Sequence, residues 1–111
     1  MDKVPKPIRD VILELEKGLK ELYGDRFRGL FLYGSYARGT AWDGSDVDLL
    51  LLLDGPVNIG REIVATEPVV WPLSLDSDLV LSVMPADYGA YQRGETSFLS
   101  TVREEAVPVA A

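Results

Sequence analysis

Hydrophobic positions near the start of the chain recur at intervals of three and four residues, which is the pattern of an amphipathic helix. The apolar stripe consists of Ile8, Val11, Ile12, Leu15, Leu19 and Leu22. Pro7 suits the first turn of a helix, and Gly24 suits a position just beyond its end. The pattern therefore predicts a first helix over Pro7–Tyr23.

Two apolar runs in the middle of the chain predict neighbouring strands. Leu30–Tyr33 is short, partly aromatic and closed by Gly34, which is typical of a strand end. Asp46–Leu53 predicts a second strand, and its uninterrupted apolar part indicates burial on both faces. About twelve residues join the two runs, among them the turn signal Asp43-Gly44. Such a short connection favours an antiparallel pair.

The second half of the chain predicts a helix between two strands. Asn58–Thr66 is expected to be helical with Asn58 as its N-cap, and Pro68 and Pro72 are expected to interrupt or kink the helix beyond Thr66. A strand that comes after a helical crossover is parallel to the one before it. The remaining elements are a strand at Leu79–Met84 ended by Pro85, a turn or loose helical stretch at Ala86–Gly94, a helix at Phe98–Glu105 capped by Ser97, and an edge strand at Val107–Val109. This order predicts an α/β fold with a small mixed sheet of three or four strands and helices packed on it.

Length and composition point to one domain over residues 1–111. The chain is 47% hydrophobic and 26% charged, which excludes a disordered or fibrous protein. The longest apolar run, Leu49–Leu53, is far too short to span a membrane. The charged N-terminal segment lacks the apolar core of a signal peptide. We therefore expect a cytoplasmic protein with no membrane association.

The net charge and the absent residue types limit the ligands and catalytic groups that this protein can use. Eighteen acidic against eleven basic residues give a net charge of −7, which disfavours direct binding of nucleic acid. The sequence contains no Cys and no His, so thiol catalysis, histidine bases and histidine-ligated metals are excluded. Any catalysis must use carboxylates, hydroxyls, Lys, Arg, backbone dipoles and a hard cation.

One motif supplies such groups: Gly34-Ser35, ten further residues, then Asp46 and Asp48. The two aspartates are two residues apart on a strand, so their side chains share a face and suit Mg²⁺. A Gly-Ser turn after a strand offers backbone N–H groups, a hydroxyl and close approach to an anion such as a phosphate. Arg38 is expected either to contact the phosphates or to brace this turn through a salt bridge.

The predicted topology adds a third carboxylate. The end of the first strand and the starts of the second and third share one sheet edge, which places Asp78 near Asp46 and Asp48. Three carboxylates with two metal ions beside a phosphate site are typical of nucleotidyl transfer. The alternative is that Asp78 only caps the junction between helix and strand.

A resemblance to the minimal nucleotidyltransferase (MNT) family of the DNA polymerase beta superfamily is carried by LYGSYARG at 32–39 and SDVDL at 45–49. It extends through DLVLSV at 78–83 to FLSTVREE at 98–105. The resemblance implies a nucleotidyltransferase fold, with Gly34 and Ser35 on the nucleotide phosphates and Asp46, Asp48 and Asp78 on two Mg²⁺ ions. Ser77 precedes Asp78 where the family more often has an apolar residue, which leaves Asp76 as an alternative third carboxylate.

The resemblance also implies a function. Many MNT proteins are antitoxins encoded beside a HEPN-type toxin, and they transfer AMP from ATP to a tyrosine of that toxin. One alternative is an inactive antitoxin that acts by binding alone. Another is a small-molecule nucleotidyltransferase, but such enzymes usually carry an extra helical domain for the acceptor.

Overall fold

A four-stranded mixed sheet forms the centre of the computed structural model, which describes residues 1–109. Its strands are β1 (Phe27–Tyr33), β2 (Val47–Leu53), β3 (Leu81–Asp87) and β4 (Val107–Pro108). They lie in the order β3-β2-β1-β4. β2 runs antiparallel to β1 and parallel to β3, and β4 runs antiparallel to β1. Both predicted strand directions are confirmed.

The helices cover both faces of the sheet. They are α1 (Lys6–Tyr23), α2 (Ser35–Arg38), α3 (Ile59–Ser77), α4 (Tyr88–Arg93) and α5 (Ser97–Glu105), with a 3₁₀ turn at Gly24–Arg26 after α1. α1 and α3 contribute to the core on one face, and α4 and α5 contribute to the core on the other. In residues 1–109, none of the helices combines the length and apolar character that crossing a bilayer requires.

Strand β2 is the most buried element because it lies between β1 and β3 with helices on both sides. Its residues from Leu49 to Leu53 are fully buried, which confirms the expectation drawn from its apolar run. Odd-numbered positions face α1 and α3, whereas Leu50 and Leu52 face α4 and α5. Side chains alternate along a strand, so Asp48 lies on the face of α4 and α5.

Helix α3 corrects the expectation of a break. It runs without interruption through Pro68 and Pro72. Each proline removes one N–H donor and crowds the preceding turn, but both rings are exposed to solvent. Val69 and Val70 between the prolines, and Leu73 directly after the second, pack on the core. This burial outweighs the local cost of the prolines, since tertiary packing supplies most helical stability in proteins.

The third strand also differs from expectation, because β3 begins at Leu81 and continues past Pro85 to Asp87. β3 is an edge strand in the sheet of residues 1–109. Proline is tolerated at an edge when its missing donor would have faced outward. The late start of β3 is a consequence of the length of α3.

The helix caps are partly as expected. Asn58 accepts a hydrogen bond from the Arg61 N–H at 3.0 Å and caps α3, as predicted. Thr96, not Ser97, caps α5 by accepting from the Leu99 N–H at 3.1 Å.

Candidate active site

The predicted acidic pair lies where β2 begins. Asp48 is paired with Tyr33 on β1 and with Ser82 on β3. Asp46 immediately precedes β2, and the Val47 N–H donates to the Val80 carbonyl at 2.9 Å. Tyr33, Asp48 and Ser82 therefore form a row across three strands near one edge of the sheet.

Asp46 and Asp48 interact electrostatically. The pKa of Asp48 is raised, first by burial and then by the negative charge of Asp46, while the Arg38 guanidinium acts in the opposite direction. Burial also raises the pKa of Tyr33, with a further contribution from Asp48. The exposed Asp46 thus adds negative charge beside the partly buried Asp48, and a cation would stabilise both carboxylates.

Gly34 connects β1 to α2 and lies directly against Asp48. Its φ of 75° and ψ of −154° are accessible to glycine and costly for other residues. A Cβ at this position would collide with the Asp48 Oδ2 atom. The space beside Gly34 is therefore occupied by the carboxylate itself, a constraint that adds to the close phosphate approach expected from the motif.

Ser35 begins α2 directly after Gly34. The first hydrogen bond of this helix runs from the Arg38 N–H to the Gly34 carbonyl at 3.0 Å. The N–H groups of Ser35, Tyr36 and Ala37 precede it and have no carbonyl partner within the helix. These amides and the Ser35 hydroxyl give the turn donors for an anion, beside two carboxylates that suit a cation.

Glu105, at the end of α5, is a member of the site that sequence reasoning missed. Its Oε1 accepts from the Gly34 N–H at 3.0 Å, and its Oε2 lies 3.2 Å from Arg38 Nη1. Arg38 thus forms the salt bridge expected for one of its two predicted roles, and its contact with the phosphates stays a prediction. Glu105 lies 71 positions from Gly34, and no local pattern signals such a contact.

Asp78 is not brought to the acidic pair. It is the C-cap of α3, with φ 60° and ψ 20°, and it lines a groove with Trp71, Leu75 and Val80. The residue beside Asp48 on β3 is Ser82, four positions later. Asp76, the alternative, lies within α3. In the described part of the chain, no three acidic side chains form a set that could hold a metal ion.

The donors fit one Mg²⁺ better than two. Mg²⁺ is commonly bound through one or two carboxylates together with phosphate oxygens and water. Asp46 and Asp48 supply such a pair, and their repulsion would be relieved by the ion. The expectation of a second ion depended on Asp78 as a third carboxylate, and Asp78 does not join this pair.

Comparison with protein families identifies the domain. Residues 12–102 match the model of the nucleotidyltransferase domain, a class of enzymes. The matched segment includes Gly34, Ser35, Asp46 and Asp48. The chain belongs to the nucleotidyltransferase domain family.

One curated relative comes from Methanocaldococcus jannaschii and bears the name "Putative protein adenylyltransferase". It is 43% identical over 47 residues, which cover 42% of this chain and 32% of the relative. The matched region thus spans about a third of the relative's length.

Solved structures share the fold. The crystal structure of a toxin-antitoxin with AMP-PNP has a TM-score of 0.60 at 17% identity, covering 91% of this chain and 71% of the other. A mutant of the toxin-antitoxin MntA-HpeT has a TM-score of 0.60 at 15% identity, with the same coverage. A Sulfolobus solfataricus protein described as a putative nucleotidyltransferase has a TM-score of 0.59 at 20% identity, covering 97% and 89%.

Proposed function

We propose that this chain is a Mg²⁺-dependent nucleotidyltransferase that transfers AMP from ATP to a tyrosine hydroxyl of a HEPN-type toxin. The observation that carries the proposal is the close approach of Gly34, at the start of the Gly34-Ser35 turn, to the carboxylate of Asp48. A donor-rich turn and an acidic pair in contact suit a triphosphate and its metal ion. The adenylyltransferase name of the archaeal relative supports AMP as the transferred group.

Each residue has a role that its position explains. The amides after Gly34 and the Ser35 hydroxyl donate hydrogen bonds to the phosphates, and Asp46 and Asp48 hold Mg²⁺. When bound, the ion neutralises charge on the α-phosphate and on the leaving pyrophosphate. The acceptor oxygen forms a bond to the α-phosphorus while the bond to pyrophosphate breaks. The proton of the acceptor hydroxyl passes to water.

A protein acceptor fits the size and charge of the chain. One sheet with five helices leaves no second lobe within residues 1–109 to hold a small acceptor. The net charge of −7 favours a basic partner over nucleic acid. Structural neighbours from toxin-antitoxin complexes support a toxin as that partner.

A second candidate function is an antitoxin that binds nucleotide and toxin without transferring AMP. The position of Asp78 away from the acidic pair favours it, because Ser82 occupies the place in the strand register where a carboxylate was expected.

Intact-protein mass spectrometry separates the two candidates. The chain is incubated with ATP, Mg²⁺ and the protein encoded beside it, which the proposal expects to be a HEPN-type toxin. Transfer adds roughly 329 Da per AMP, the formula mass of a group delivered by metal-assisted displacement. The matched control is the double variant Asp46→Asn, Asp48→Asn, together with a reaction in EDTA, and neither should add mass. A toxin that is bound and silenced by the wild-type chain without gaining mass would establish the second candidate.

A further inference from the structure

The four-residue helix α2 is contacted at both ends by a single carboxylate from a distant part of the sequence. A helix of this length is too short to be stable by itself. Glu105 contacts both of its ends: Oε1 accepts from the Gly34 N–H at the N-cap, and Oε2 pairs with Arg38, the last helical residue.

This contact also reaches the acidic pair. Gly34 is held between two carboxylates, with Glu105 on its N–H and Asp48 against its Cα. Loss of the Glu105 contact would free the peptide between Tyr33 and Gly34 to rotate, and such a rotation would change the position of Gly34 relative to Asp48. The orientation of the turn and the position of Asp48 are therefore coupled through Glu105.

Glu105 does not occupy the other backbone donors of the turn. Glu105 uses the Gly34 N–H, whereas the amides of Ser35, Tyr36 and Ala37 have no carbonyl partner inside α2. The pairing with Arg38 offsets the negative charge that Glu105 would otherwise present to a phosphate. The carboxylate can thus brace the turn without occupying the amides of the first helical turn.

We propose that Glu105 is a positioning residue for nucleotide binding, which holds α2 by both ends and so orients the Gly34-Ser35 turn toward the Asp46-Asp48 pair. This inference rests on the proposed function, because it assigns nucleotide phosphates to that turn. Glu105 itself does not touch the nucleotide.

Three variants test the role. Glu105→Ala removes both contacts, Glu105→Gln keeps an acceptor for the Gly34 N–H, and Glu104→Gln is the matched control at an exposed neighbour. Calorimetric titration with AMP-PNP and Mg²⁺ should show wild-type affinity for Glu104→Gln and about ten-fold or greater weakening for Glu105→Ala, as expected for a lost charge-assisted hydrogen bond. Glu105→Gln should recover most of the affinity.

A second measurement needs no nucleotide. Amide hydrogen exchange at Gly34 should accelerate in Glu105→Ala and remain slow in Glu105→Gln. The Gly94 amide, which is bonded to backbone carbonyls of α4, serves as the internal control. Thermal melts of each variant show whether the fold is retained, so that a general loss of structure is recognised.

Unchanged affinity in Glu105→Ala would overturn the proposal, and tighter binding would show instead that the carboxylate competes with phosphate. If the wild-type chain does not bind AMP-PNP, the proposed function fails, and a nucleotide role for Glu105 fails with it. The exchange of Gly34 would still decide whether the carboxylate holds the turn.

Discussion

Gly34 is the residue on which the geometry of the site depends most directly. Gly24 offers a natural comparison, since both glycines have positive φ, 75° and 54°. A Cβ at Gly24 would meet no heavy atom within 4 Å, whereas one at Gly34 would collide with Asp48. The two positions share backbone strain and differ in the contact with the acidic pair.

This difference predicts the effect of alanine at each position. Gly24→Ala should lower the free energy of unfolding by about 1–3 kcal/mol, the cost of an unfavourable backbone conformation. Gly34→Ala should lower it further and should also abolish binding of Mg²⁺ and AMP-PNP, because Asp48 is displaced. Urea denaturation and calorimetric titration measure the two effects. Equal losses at both positions would show that Asp48 is free to move aside.

The negative charge of the acidic pair is expected to lower the stability of the free protein and to favour the binding of Mg²⁺. The pKa of Asp48 is raised by burial and by Asp46, so the folded state holds this proton more tightly than the unfolded state. The contribution of Asp48 to stability is therefore fully present below the ordinary pKa of 3.8 and is lost as pH rises through the higher folded value. At neutral pH the ionised Asp48 carboxylate therefore destabilises the unliganded protein.

Replacing both aspartates, as Asp46→Asn with Asp48→Asn, should raise the melting temperature of the free protein at pH 7. The same change should remove the further rise caused by Mg²⁺ and ATP. Thermal melts with and without the ligands test both statements. A double variant that responds to Mg²⁺ and ATP as the wild type does would contradict the assignment of the metal ligands.

At the scale of elements, the end of α3 decides which residue stands beside Asp48. The helix continues to Ser77, and Asp78 ends it in the left-handed region with φ 60°. Glycine is the residue usually preferred at such a C-cap. β3 then begins at Leu81, which brings Ser82 into register with Asp48.

Asp78→Gly therefore distinguishes a cap from a metal ligand. If Asp78 is only a cap, glycine relieves backbone strain and should stabilise the fold by about 0.5–1 kcal/mol. The rise in melting temperature caused by Mg²⁺ and ATP should be unchanged. If Asp78→Gly keeps its fold but loses that rise in melting temperature, Asp78 is a metal ligand and not only a cap.

At the scale of the molecule, a cluster around Glu62 joins α1, the 3₁₀ turn and α3. The buried Glu62 carboxylate accepts from the Tyr23 hydroxyl at 3.1 Å and from Arg26 Nη2 at 3.1 Å. Arg26 also donates to the carbonyls of Asp54 and Pro56 at 3.2 and 3.3 Å. The cluster therefore connects these elements at the end of the sheet opposite the acidic pair. The buried charge of Glu62 is tolerated because it is paired with Arg26.

This cluster predicts an alkaline transition. Burial, then the hydrogen bond to Glu62, raises the pKa of Tyr23 from 10.0 to about 12. Because the pKa is higher in the folded state, protonated Tyr23 contributes to stability at every pH below the unfolded pKa of 10.0. This contribution is lost as pH rises from 10 through about 12. Tyr23→Phe should lower stability at neutral pH by about 0.5–1.5 kcal/mol and flatten the loss between pH 10 and 12. Urea denaturation between pH 7 and 12 measures both effects. Tyr36→Phe, which lies outside the cluster, is the control.

The local features of this protein were predictable from the sequence. The three-and-four spacing in the first helix, the apolar run of β2 and the short connection before it depend on neighbours a few residues apart. They predicted α1, β2 and the antiparallel pairing of β1 with β2. The motif from Gly34 to Asp48 spans one turn between adjacent strands, so its two halves could be expected to meet.

Contacts between distant segments were decided only by the tertiary structure. Packing of Val69, Val70 and Leu73 carries α3 through two prolines, and the resulting length of α3 sets the register that places Ser82 beside Asp48. The docking of α5 likewise brings Glu105 to Gly34 across 71 positions. Both outcomes depend on where buried surfaces fit one another, and that fit is a property of the folded chain rather than of any local pattern.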